Sequence, residues 1–179
     1  MIKITNLTVN DVRFPTSKDL TGSDAIHTDP DYSATYVTIH TSDNNFKGYG
    51  IAFTLGKGND IVAECIKNYF PLIDGLTIDE VENNIGSLWF NFADHSQLRW
   101  LGPEKGVVHM ALAAVFNALW DIIAKKNQKP LWKFVVESKP ETIMSWLTFK
   151  YIEDVMSKDD AFKILTENQE FKKERINTV

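Results

Sequence analysis

A single cysteine, Cys65, occurs in the 179 residues, which excludes an internal disulfide framework. Basic charge is also in short supply: 19 Lys and Arg stand against 24 Asp and Glu, for a formal net charge of -5. That balance offers a polyanion no electrostatic footprint, so nucleic acid is not an expected partner. An acidic membrane surface is disfavoured for the same reason. No unbroken run of about 18 apolar residues occurs, and the opening MIKITNLTVND lacks the apolar stretch of a secretory signal. The expected setting is therefore cytoplasmic or mitochondrial-matrix, without secretion and without a membrane. Internal repeats and low-complexity tracts are missing as well.

What is present is enough apolar material, 44% of the chain, to bury a sizeable core in one domain or slightly more. The first fifty residues read as strands. Ile2, Ile4, Leu7 and Val9 alternate with polar neighbours, and a slip before Val12 and Phe14 suggests a bulge. SATYVTIHT (33–41) alternates again, SDNN supplies turn chemistry, and FKGYGIAFTL completes a hairpin. Helices follow. Asn59 is placed to cap one whose apolar face carries Ile61, Val62, Cys65, Ile66 and Tyr69, which makes Cys65 a core residue. Thr77 with Glu80 three residues on forms a capping box for a second helix, in which Gly86 costs about 1 kcal/mol relative to Ala. The longest helix is expected over Val107 to Lys126. Its alanines at 111, 113, 114 and 118 let neighbouring backbones come close. Pro130 ends that run, and a short new helix begins at PLWKFVV.

Beyond residue 136 the character changes. TIMSWLTFKYI (142–152) mixes β-branched and aromatic residues as a strand does, and Ser157 with Asp160 caps a helix in DAFKILTENQEFKKER. One strand and one helix make no domain, and they read as the first unit of something longer.

The loop LTGSDAIHTDPDY (20–32) gathers Asp24, His27, Asp29 and Asp31. A calcium loop starting at Asp29 would need glycine and glutamate where Ala34 and His40 stand. A solvated loop, a ligand-facing loop and a His-carboxylate metal site all remain open on residue types alone. LGKGND lacks the third glycine of a dinucleotide fingerprint and reads as a strand-to-helix turn. The four histidines, at 27, 40, 95 and 109, have no spacing that pairs them as base or ligands. In DHSQLRWLGPEKG, Arg99, Trp100 and Glu104 offer either a binding patch or a connector in which Pro103 and Gly106 set up the next helix. Asn117 and Asp121, one turn apart, should each find a hydrogen-bond partner across a packing contact.

Several literal strings go further: VRFPTS (12–17), GSDA (22–25), HTDPDYSATYV (27–37), TLGKG (54–58), QLRWLGPEKGVVH (97–109), NALWDIIAKKNQKPLWK (117–133) and FKYI (149–152). Together they resemble L-fuconate dehydratase, an acid-sugar dehydratase of the enolase superfamily, mandelate racemase-type branch, from residue 3 to about residue 175. The resemblance implies an α+β fold: an N-terminal capping domain over 1–136, with a three-stranded antiparallel sheet and a helical bundle, then the first strand and helix of an incomplete (β/α)-barrel over 137–179. It implies that Gly22, Ser23 and Asp24 in the loop, and Tyr32 at the start of the second strand, touch a sugar acid such as L-fuconate once a complete barrel is present. The family's reaction removes the proton α to a carboxylate, with Mg²⁺ stabilising the enediolate, and expels the β-hydroxyl. Its Lys-x-Lys base pair, carboxylate metal ligands and Asp-His dyad lie on later barrel strands, so the resemblance implies no catalytic residue and no bound metal in this chain. Lys150 lies on the first strand and does not match the base. The expected product is an inactive, truncated cap, with association through the unfinished barrel edge, to itself, a full-length subunit or another barrel, as the alternative role.

Overall fold

In a computed structural model of the protein, residues 1–102 and 104–178 are described; Pro103, expected to set up a helix, lies outside them. Three strands form one antiparallel sheet in chain order: β1 (Ile4–Arg13), β2 (Ser33–Thr41) and β3 (Lys47–Thr54). Strict alternation in β2 puts Val37 and Ile39 into the core, while Tyr36 on the opposite face is exposed. Leu7 pairs with Ile39 and Val9 with Val37, so the register follows the apolar pattern. The irregularity in β1 falls between Ile4 and Asn6 and not before Val12. Ile4, paired with Thr41 across the shift, also donates to the Leu76 carbonyl and accepts from the Gly75 amide.

Helix α1 (Asn59–Tyr69) buries Val62, Cys65, Ile66 and Tyr69 of its expected face but leaves Ile61 56% exposed, α2 (Ile78–Ala93) buries Val81, Ile85 and Phe92, and burial pushes the Cys65 thiol up to about 11. The α2 capping box is complete, with Thr77 Oγ1 accepting from the Glu80 amide and Glu80 accepting from the Thr77 amide at 2.8 Å. Helix α3 (Val107–Lys126) is the spine: Leu112, Leu119 and Ile123 are fully buried, each such side chain contributing roughly 1.5–3 kcal/mol by leaving water. By length and composition α3 is apolar enough to cross a membrane, which a search for unbroken apolar runs overlooks; in this fold its apolar surface is spent on the core. The small residues work as expected. A Cβ added at Gly50 would sit 1.9 Å from the Ala114 carbonyl oxygen, and one at Gly48 2.1 Å from that of Ala118, so β3 and α3 meet nearly backbone to backbone. Asp121 finds its partner across this contact, accepting from the Tyr49 amide at 2.9 Å, whereas Asn117 is exposed.

Four shorter helices follow: α4 (Leu131–Glu137), α5 (Pro140–Trp146), α6 (Lys158–Glu167) and α7 (Lys172–Asn177). The expected strand over 142–152 is not formed. Its first half is α5, opened by Pro140 at the first helical turn. Trp146 at its end packs edge-to-face on Trp120 at 5.1 Å, and the carbonyl of Ser145 approaches α2 where only Gly86 leaves room. A barrel strand needs parallel neighbours for its hydrogen bonds. Among the described residues no strand lies beside this segment; residues 142–146 are helical and 147–152 run on as irregular chain and turn.

Candidate functional site

The site is built at one end of the sheet, where the segment leaving β1 and the turn leaving β3 face each other. A short helical turn, Thr16–Lys18, follows β1. Thr16 Oγ1 donates to the Pro30 carbonyl at 2.7 Å and accepts from the Tyr32 amide at 3.0 Å, which closes residues 16–32 into a loop with a fixed base. Asp31 ties the base down further: its Oδ1 accepts from the Ser17 amide at 3.1 Å and its own amide donates to the Leu55 carbonyl at 3.2 Å. These bonds from Ser17 hold the Asp31 carboxyl below its usual range.

At the tip, Asp24 Oδ1 accepts from the amides of Ile26 at 2.7 Å and His27 at 2.6 Å, and Oδ2 lies 3.2 Å from His27 Nδ1. The two amides and the imidazole bring the carboxyl down to about 2. An Asp in a turn often bonds backbone two residues on; the result here is a pre-set, fully ionised carboxylate on an exposed tip. Gly22 and Tyr32 are brought together, with the Tyr32 hydroxyl donating to the Gly22 carbonyl at 2.8 Å. Gly22 has a φ of +76°, and a Cβ there would strike the Tyr32 ring at 2.3 Å, so glycine is required twice over. Tyr32 also leans on Phe53 of β3 at 5.5 Å between ring centroids. Ser23 sits in the same exposed turn, its amide donating to the Leu20 carbonyl.

Between loop and turn runs a cleft of about 270 Å³, with Ser17, His27, Asp29 and Asp31 on one side and Leu55 and Lys57 on the other. Gly22, Ser23, Asp24 and Tyr32 are not among its lining residues. Sequence reasoning missed Ser17 and Lys57. The available signal was the Gly-Lys-Gly of residues 56–58, where both glycines take positive φ and lift Lys57 to the surface. Hydroxyl, carboxylate, imidazole and ammonium groups around a small cleft suit a polyhydroxy acid, which needs several donors and acceptors at once.

Among the described residues no group of three His, Cys, Asp or Glu side chains is placed to hold an ion. The histidines are dispersed: His40 Nε2 meets Thr8 Oγ1 at 2.8 Å, His95 accepts from the Gln97 amide at 3.3 Å, and His109 stands edge-on to Trp89. Arg99 and Glu104, 3.9 Å apart, join Asp94 and Lys150 in a charge cluster that fastens the 94–104 connector to residues 150–151, while Trp100 stays 74% exposed.

Residues 17–135 match the family model described as mandelate racemase / muconate lactonizing enzyme, N-terminal domain. The chain belongs to that family. Its fold is the enolase-superfamily N-terminal domain, a three-stranded antiparallel sheet with helices. The crystal structure of human mitochondrial enolase superfamily member 1 is similar at 45% identity and a TM-score of 0.92, over 98% of this chain and 40% of that one. L-galactonate dehydratase of Hypocrea jecorina is 42% identical over 98% of this chain and 39% of its own length. L-talarate dehydratase from Polaromonas, solved with Mg and L-glucarate, shares the fold at a TM-score of 0.56 and 17% identity, over 78% of this chain and 33% of that one. The chain thus spans about two fifths of the length of the first two relatives.

Proposed function

We propose that residues 1–136 are the capping and substrate-lid domain of an acid-sugar dehydratase, and that residues 137–179 open its barrel domain. The whole enzyme removes the proton α to the carboxylate of a sugar acid and expels the β-hydroxyl as water, leaving a 2-keto-3-deoxy acid. The magnesium ion of this reading belongs to residues outside this chain, and no side chain here is assigned to it. Alone, the chain is inactive, because active sites on barrels are assembled from the ends of several strands. The observation that carries the reading is the two-walled polar cleft between the 16–32 loop and the turn after β3, in a chain 42% identical to an L-galactonate dehydratase.

L-fuconate is the substrate implied by the sequence strings and L-galactonate the one in that relative's name. The two acids share their stereocentres and differ only by the hydroxyl at C6, so one cleft serves either. Gly22, Ser23, Asp24 and Tyr32 are the substrate contacts on the lid, Asp24 as acceptor and Tyr32 as the ring that fixes the loop. The setting is mitochondrial matrix or cytoplasm, in keeping with the name of the human relative.

The test is a chimera in which residues 1–136 replace the matching part of the Hypocrea jecorina enzyme. A folded chimera should turn over L-galactonate or L-fuconate, and Asp24→Ala should lower its kcat/KM by on the order of tenfold or more, as loss of one charged contact does. A folded but inactive chimera, or an Asp24→Ala variant with unchanged kinetics, overturns the reading. A second reading, a non-catalytic module that docks on a full-length subunit or another barrel, is favoured by Tyr151, Val155 and Phe171, exposed at 62%, 80% and 50%. Native mass spectrometry giving a clean soluble monomer would count heavily against it.

A further inference from the structure

Asn59 is a polar side chain with no exposure at all, at the junction of all three strands with α1. Its Oδ1 accepts from Thr35 Oγ1 at 2.8 Å and from Thr54 Oγ1 at 2.9 Å. Its Nδ2 donates to Asp11 of β1 and to the Ala34 carbonyl at 3.2 Å. Both lone pairs and both hydrogens of the amide are therefore used, which is the condition for burying it without penalty.

The placement carries a local cost. Asparagine at this point in the sequence would ordinarily cap α1 through its side chain. Here Gly58 takes the capping position with φ +87° and no side-chain cap forms, because the Asn59 amide is turned into the sheet. Conflict between a local rule and the observed structure is concentrated at functional positions.

What the amide holds is the cleft. Thr54 Oγ1, fixed by Asn59, accepts from the Gly56 amide across a long 3.4 Å bond. Gly56 lies so close to Asp31 that a Cβ would fall 2.8 Å from that of the aspartate. Asp31 in turn bonds the Leu55 carbonyl and the Ser17 amide. The chain of contacts Asn59, Thr54, Gly56, Asp31, Ser17 thus runs from the core to both walls.

We infer that Asn59 is a positioning residue that sets the Leu55–Gly58 turn, and with it Lys57, against the Ser17–Asp31 wall, so that the cleft is pre-formed before a ligand arrives. The inference rests on the cleft being the sugar-acid site, but its test involves no ligand, so each can fail without the other. Amide hydrogen exchange is measured on the 179-residue chain for Asn59→Ala and for Val62→Ala, a core truncation on the same helix whose side chain is no part of the Asn59–Thr54–Gly56–Asp31 chain of contacts. At matched loss of global stability, Asn59→Ala should speed exchange at Gly56 and Asp31 by about tenfold beyond the Val62→Ala control, the factor a lost buried hydrogen bond gives. Equal acceleration in both variants, or none at Gly56 and Asp31, overturns the inference. Should Asn59→Ala fail to fold, the pair Asn59→Asp with Asp11→Asn, which exchanges donor and acceptor across one bond, keeps it open to test. The double variant should restore protection at Gly56 and Asp31 relative to Asn59→Asp alone, and failure to do so counts against it.

Discussion

Two capping boxes of one design open α2 and α6, Thr77 with Glu80 and Ser157 with Asp160, yet the helices behind them live in different surroundings. Helix α2 buries Ile78, Val81, Ile85 and Phe92, whereas α6 buries only Ala161 and leaves Phe162 and Ile164 at 38% and 47% exposure. Past residue 136, Phe149 and Ala161 are the buried apolar side chains among the described residues. Caps start helices in both regions; packing holds only the first. The lesson is that a cap sets where a helix begins, while its contribution to global stability depends on whether the helix belongs to the cooperative core.

The sharpest way to break this comparison is to overfill the first region. Gly50→Val should cost more than about 3 kcal/mol or abolish folding, since the backbone of α3 leaves no space for it. Truncating the spine comes next: Leu119→Ala should lose about 2–5 kcal/mol in urea titration, against less than about 0.5 kcal/mol for Ile164→Ala. The matched caps are more telling still. Thr77→Ala should lower global stability by about 1 kcal/mol, while Ser157→Ala should leave the urea midpoint in place and only speed amide exchange within 158–167.

The smallest effect is local and depends on pH. The Asp24 carboxyl is depressed from 3.8 to about 2, so its stabilisation of the 24–27 turn is complete above 3.8 and is lost as pH falls through about 2. The amide shifts of Ile26 and His27 should follow that low midpoint. A midpoint near 3.8 would mean that the turn is not held as described.

Much of the fold was legible because it rests on period and punctuation. The SATYVTIHT alternation marks β2, and the capping boxes and the alanines of α3 mark where helices start and where backbones meet. The 142–152 segment was misread because β-branched and aromatic residues describe a packed surface, not a strand, until neighbours decide. Asn59 misled in the opposite sense: it looks like a cap and serves as a buried hub, which only the positions of Asp11, Thr35 and Thr54 reveal. At the site, the loop could be picked out from its strings, but Ser17 and Lys57 gain meaning only when two distant turns face each other.

The most direct check of the account is to incubate the 179-residue protein with Mg²⁺ and either L-galactonate or L-fuconate and follow formation of the 2-keto-3-deoxy acid. The account predicts no turnover, because on the proposed reading this chain supplies only the lid, and among the described residues no group of three His, Cys, Asp or Glu side chains is placed to hold a metal ion. Sustained turnover by the purified chain would contradict it and would place catalytic groups among these residues.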